Sequence, residues 1–283
     1  MPEKEEYVLY RYTPSIAAAA VVISVFAILT GLHTYRMIRT KLWFCVPFTI
    51  GGAFELIGYI GRAVGHSSPE SLVPFIIQSL FVLVAPALFA ASIYMTLGRL
   101  IRAVHAESLS VVRVSWLTKL FVCGDVFTFF IQGGGGGIMA SHDPDKVKLG
   151  ENIILGGLFL QIIIFGLFVV ASIIFHVRLQ KRPTREAYAG DVKWQKMLWV
   201  LYAVSAIILV RNIFRVVEYL GGNAGPLLRV EWPIYVFDAL LMASTMTVWF
   251  AGYPTLIRPA KSLSSDSESG MQLPVSDRGL STK

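Results

Sequence analysis

Charge is scarce in this chain. Of its 283 residues 15% are charged and 55% are hydrophobic, whereas a soluble domain carries about 25% charged residues. That shortage excludes an ordinary water-soluble domain. Cysteine is nearly absent too: Cys45 and Cys123 are the two thiols, too few for a secreted disulfide framework. They read as packing thiols, with palmitoylation of Cys45 as the other option. None of the three asparagines lies in an N-x-Ser/Thr acceptor. The run Gly133 to Gly137 lacks the Lys and Ser/Thr of a P-loop, and no P-loop pattern occurs elsewhere. Hydrolysis of a bound nucleotide is therefore not expected to drive this protein, and the glycines read as helix-packing positions or as a cheap helix end. The five histidines also fail to group. His33, His105 and His176 fall at one set of helix ends, and His66 and His142 lie in loops on the other side, so no zinc triad can assemble at one depth. Neither an enzyme nor a cofactor is expected.

What is present is apolar length. Uncharged or nearly uncharged runs over residues 14–35, 43–63, 73–98, 115–137, 153–175, 195–219 and 232–253 match the roughly 20 residues a helix needs to cross a bilayer. The expected fold is an all-α membrane protein, a seven-transmembrane helix bundle over residues 14–253. Residues 1–13 form a short outer segment of mixed charge, unlike a secretory signal. Residues 254–283 form a Ser-rich tail with too little apolar surface to fold alone.

The 25 Lys and Arg set the orientation. One side collects sixteen of them, including Arg36, Arg39, Lys41, Arg99, Arg102, Arg113 and the cluster from Arg178 to Lys196. The other side holds six, and Lys119, Arg211 and Arg215 lie within helices. The positive-inside bias then places the N-terminus outside and the C-terminus in the cytosol. A net charge of +7 thus reflects topology, and no nucleic-acid partner is expected. The basic connection between helices five and six reads either as an ordinary inner loop or as a surface for anionic headgroups.

A few polar residues interrupt the apolar runs, and charge in hydrocarbon implies a partner, a water-filled cavity or a function. At 1.5 Å per residue, Glu55 lies just past the middle of helix two and Arg62 at its outer end. Arg211, Arg215 and Glu218 share one face of helix six in its outer half. Asp238 lies about two turns into helix seven. Gln78, Gln132 and Gln161 also fall in outer halves, and Asp125 near mid-depth. One reading is a self-satisfied network in which the arginines pair with Glu218, Glu55 or Asp238 and fix the packing. The other is an outward-facing polar cavity lined by these ten residues. Four acids against three arginines leave the region slightly acidic, which suits a cationic amine headgroup. Pro86, mid-helix three, should kink the helix and free backbone groups that neighbours must satisfy.

A parallel 3+1+3 repeat is also suggested. Ala87 to Ser92 and Ala239 to Ser244 share Ala-Leu-x-x-Ala-Ser, Glu55-Leu56-Ile57-Gly58 matches Glu218-Tyr219-Leu220-Gly221, and His33 and His176 end helices one and five.

Taken together, Tyr12 to Ser15, His33, the segment from Phe54 to Arg62, Ala85-Pro86, Ala91 to Met95, Asp125, Gln132 to Gly134, Gln161, Arg211 to Arg215, Glu218, Glu231 and Asp238 resemble the fungal RTA-like family of lipid-translocating exporters. That family includes sphingoid long-chain base translocases and aminocholesterol-resistance proteins. The most specific signals are E-x-x-G-Y-x-x-R followed by R-x-x-x-R-x-x-E. Where relatives often carry an Asn in helix one, this chain has Ala17 to Ala20, so substrate contacts there are not carried over.

The resemblance implies seven spans and export or leaflet transfer of amphiphilic lipids or toxic compounds, with resistance to them, usually at the plasma membrane. The expected function is thus a membrane transporter whose partners are lipids or amphiphilic small molecules. A seven-helix receptor or lipid sensor would show the same topology and stays as the alternative. Protonation of Glu55 or Asp238 could couple transfer to pH. Replacing Glu55 with Gln and Asp238 with Asn is expected to impair the handling of amine lipids, measured with labelled sphingoid base; unchanged handling would contradict the acidic-cavity reading.

Overall fold

In the computed structural model, residues 15–67, 71–139, 143–189, 192–221 and 230–254 are described, without the side chains of residues 72, 144 and 189. The expected N-terminal segment and Ser-rich tail lie outside them, apart from Pro254. Every regular element among the described residues is helical. Seven helices are long and apolar enough to cross a membrane: Ile16–Thr40, Trp43–Ser67, Val73–Ala103, Val114–Met139, Asp145–Lys181, Trp194–Leu220 and Trp232–Ala251. They are called spans one to seven below.

Local chemistry sets several boundaries. Ser15 caps span one by accepting from the Ala18 N–H. Asp143 caps span five through the Asp145 N–H, with Pro144 in the first turn. Span five therefore starts well before its apolar run, in the charged stretch PDKVKLGE, because a cap can start a helix where hydropathy alone would not. Its helix has 38 residues, about 57 Å at 1.5 Å each, far more than a hydrocarbon core of about 30 Å. Pro86 lies inside a continuous helix, Leu72–Ala103. Span seven holds a departure that apolar patterning did not indicate. Its segment Tyr235–Leu240 is π-helical, a form that often marks functional positions.

Consecutive spans pack side by side, and spans seven and one also meet, which closes a ring; spans three and six touch across it. Spans two, three and six are the most buried, and span one the least. Large side chains such as Phe127, Phe130, Ile163 and Leu167 point outward, as expected for a surface solvated by lipid. Trp43, Trp116 and Trp199, each at least 60% exposed, stand at the starts of spans two, four and six, near Arg39, Lys41, Arg113 and Lys196. They mark an aromatic belt at what is here called the basic end. The core beneath it is aromatic: Phe48 stacks on Trp249 at 5.2 Å and meets Phe89 at 4.6 Å. Cys45 is buried there, whereas Cys123 is exposed.

The five-glycine run does not end a helix, since span four continues to Met139. It provides one close approach. A Cβ added at Gly135 would lie 2.8 Å from the Gly150 carbonyl oxygen, and one at Gly150 would lie 2.6 Å from that of Gly135. Backbone cannot yield as a side chain can, so spans four and five must separate if either glycine gains a side chain. Gly134 has nothing within 4 Å. Gly135→Ala is expected to lower the thermal midpoint of the purified protein in detergent. Gly134→Ala, which gains roughly 1 kcal/mol of helix propensity, should leave it unchanged or raise it.

Candidate functional site

The buried charges gather where spans two, three, six and seven meet, in the half away from the basic end. Arg211, fully buried, donates from Nε to Asp238 Oδ1 at 2.5 Å and from Nη2 to the Val82 carbonyl at 2.8 Å. That second acceptor has a specific origin. In a regular helix the Val82 carbonyl would accept from the N–H four residues on, but that residue is Pro86, which has none. The proline in span three thus exposes a backbone acceptor to the arginine of span six. Asp238 reaches the same arginine from the π-helical segment of span seven.

One helical turn further on, Arg215 Nη1 donates to Glu218 Oε2 at 2.7 Å. Its guanidinium lies 5.7 Å from the centre of the Tyr219 ring. At the end of span two, Arg62 donates from Nη2 to Glu231 Oε1 at 2.8 Å and from Nε to the Tyr235 hydroxyl at 3.1 Å. Tyr235 itself donates to Glu231 Oε1 at 3.1 Å. The same carboxylate oxygen accepts from the Ser15 N–H at 2.8 Å, so it ties together the ends of spans one, two and seven. Glu231 was visible in the sequence as an acid next to an apolar run. Only the fold shows that it is the partner of Arg62.

Three arginines therefore hold three acids: Arg62 with Glu231, Arg211 with Asp238, and Arg215 with Glu218. Glu55 is left over. It is fully buried, both of its carboxylate oxygens lack a hydrogen-bond donor, and it lies within electrostatic reach of Asp238, Arg211 and Arg215. Near it, the Tyr59 hydroxyl, Asp238 Oδ2 and Arg215 Nε also lack partners. A buried polar group without a partner is costly, and here several such groups cluster. In this conformation the group is closed off, with Glu55, Arg211 and Asp238 each 0% exposed.

The remaining sequence candidates lie elsewhere in the bundle or at its edge. Asp125 of span four accepts from the Tyr94 hydroxyl of span three at 2.9 Å, and the Tyr94 ring packs against Phe121, Phe165 and Phe168. Gln132 donates to Gln161 at 2.9 Å, joining spans four and five. Gln78 is buried on span three. Nine of the ten candidates thus separate into a charge cluster of spans two, six and seven and two hydrogen-bonded pairs that involve spans three, four and five, and Gln78 stands on span three outside both pairs. Among the described residues, no group of three His, Cys, Asp or Glu side chains is placed to hold a metal ion.

The pairing separates two substitutions. Asp238→Asn removes the counter-charge of a buried arginine and is expected to cost about 3–5 kcal/mol, whereas Glu55→Gln removes a charge that has no donor and should leave stability unchanged or raise it. Thermal unfolding in detergent checks the contrast. Equal losses would mean that Glu55 is also a structural partner.

Residues 48–261 match the family described as RTA1 like protein. The chain is 36% identical to the protoporphyrin uptake protein 1 of Saccharomyces cerevisiae, over 87% of this chain and 92% of that one. It is 32% identical to protein RTM1 of the same species, over 87% and 92%. It is 25% identical to a sphingoid long-chain base transporter, RSB1, of the same species, over 85% and 72%. No solved structure matches. With seven membrane-length helices, the buried-charge pattern and a family match across most of its length, this chain is an integral multi-pass membrane protein that belongs to the RTA1-like protein family.

Proposed function

We propose that this protein is a transporter that moves amphiphiles from one leaflet to the other through its helical bundle, and that it favours headgroups carrying an amine. Glu55 carries this reading. A buried carboxylate with no donor, in a cluster where every arginine already has an acid, is poised for an external cation. Two relatives support transport of amphiphilic molecules, one named for a sphingoid long-chain base and the other for protoporphyrin uptake. Those two cargos differ in charge, since a sphingoid base carries an amine and a porphyrin of this type carries carboxylates. The surplus acid favours the amine for this chain.

In this reading the basic end faces the cytosol. The headgroup passes the charges on spans two, six and seven while the tail stays in contact with lipid. Removing the compound from the inner leaflet would give resistance to it, and the plasma membrane is the natural site for such export. No bond is made or broken in the cargo, so the protein is not an enzyme in this account and needs no cofactor.

Reconstitution into protein-only liposomes tests the proposal, with labelled sphingoid base, protoporphyrin and phosphatidylcholine as separate cargos. Wild type should move sphingoid base well above the rate in empty vesicles, and Glu55→Gln should reduce that rate at least tenfold, a loss of about 1.4 kcal/mol or more in the rate-limiting barrier. Movement of protoporphyrin alone, insensitive to Glu55, would overturn the amine preference and keep the transporter. Movement of no cargo above the empty-vesicle rate would overturn transport itself.

A further inference from the structure

The basic end holds a second feature, about one turn beyond the belt tryptophan Trp199. Between the end of span five and the start of span six the chain folds into the short helix Arg185–Ala189. Two hydrogen bonds hold this connection against the bundle, Thr184 Oγ1 donating to the Val104 carbonyl at 2.6 Å and Trp194 Nε1 donating to the Ala187 carbonyl at 3.1 Å, while the Ala187 N–H donates back to Thr184 Oγ1 at 3.3 Å within it. The fold leaves a groove of about 560 Å³. The partly buried Val192 and the buried Trp194 form its apolar floor, and the exposed Tyr188, Lys193 and Lys196 stand at its rim. The chain from Arg178 to Lys196 carries six cations against two acids, Glu186 and Asp191.

We infer that this groove binds one anionic phospholipid of the leaflet at the basic end. Depth is the first argument. Trp199 is 67% exposed and marks the interface, so a groove lined by Trp194 lies at headgroup level. Amphipathicity is the second. An apolar floor beneath a cationic rim matches a molecule whose phosphate is joined to a hydrocarbon portion, whereas a free anion would leave the floor unused. The third is charge: a phosphate diester is anionic, and ammonium groups near a membrane surface attract anionic lipid. A tyrosine hydroxyl at the same rim supplies a neutral donor. The inference stands apart from the transport reading, because the groove shares no residue with the Glu55 cluster.

Native mass spectrometry of the full chain in detergent, titrated with phosphatidylserine and separately with phosphatidylcholine, reads the site directly. Wild type should retain one phosphatidylserine preferentially. The Lys193→Gln/Lys196→Gln double variant should bind it roughly tenfold to thirtyfold more weakly, from the known contribution of each lysine near a charged surface. Lys193→Arg/Lys196→Arg should restore binding, which shows that charge and not misfolding is read. Lys146→Gln/Lys148→Gln, which removes the same charge at the opposite end, should change nothing. Equal retention of phosphatidylcholine, an unaffected Gln variant, or an equal loss in the Lys146 and Lys148 control would overturn the site. Competition by soluble glycerophosphoserine at the concentration of the lipid would overturn the lipid assignment, because the floor would then contribute nothing.

Discussion

The Arg211 guanidinium is the contact on which the rest of the bundle depends. A charge in a low-dielectric interior is tolerated only with an opposite charge and well-placed acceptors, and this one draws them from two other spans. Asp238 of span seven supplies the charge, and the Val82 carbonyl of span three supplies the backbone acceptor. Two local irregularities make that possible. Pro86 leaves the carbonyl of Val82 without its helical donor, and the π-helical segment Tyr235–Leu240 carries Asp238. Each would be a defect in an isolated helix. Together they form a three-span clamp across the centre of the ring, where spans three and six meet.

Span seven is the hub around which the least buried helix is held. Span one contributes little core, yet its polar anchors at both ends lie on span seven or just before it. Away from the basic end, the Ser15 N–H meets Glu231. At the basic end, His33 Nε2 contacts the Met246 carbonyl at 3.0 Å and Arg36 donates to the Phe250 carbonyl. The Arg36 guanidinium also lies over the rings of Phe250 and Tyr253, at 4.7 and 4.6 Å. The seam between spans one and seven is thus closed by a few directional contacts at its ends, whereas the seams between spans two and three and between spans four and five are closed along their length.

The number of spans was legible in the sequence, because it depends on run length, and the position of each buried charge along its helix follows from a fixed rise per residue. The direction in which each side chain points around the bundle was not legible. Asp125 and Gln132 were grouped in the sequence with the Arg211 cluster but face Tyr94 and Gln161 instead, since helix rotation is decided by neighbours that no single segment encodes. The expectation that Pro86 would release a backbone group was physical and specific, and the structure supplies the recipient. The start of span five was also legible, in the Asp143-Pro144 cap, but hydropathy drew attention to Ile153 instead. The π-helical turn had no signal, because Tyr235 to Leu240 contains neither Gly nor Pro and reads as ordinary helix.

The two readings of the buried charges, structural lock or functional site, become separable once the pairs are assigned. Arg62, Arg211 and Arg215 with their acids account for six charges by geometry alone, and a fold can keep such pairs for the sake of a defined packing. Glu55 has no such account. Its oxygens satisfy no donor, and its surroundings hold other unpartnered groups, the Tyr59 hydroxyl, Asp238 Oδ2 and Arg215 Nε. A position that only served packing would be better filled by an apolar side chain of similar volume, which carries no desolvation cost. Under the proposed transport function the conformation shown is one of at least two, and in the other the bundle would admit a hydrogen-bond donor that carries positive charge. In that proposal the three arginine pairs are the fixed frame around Glu55.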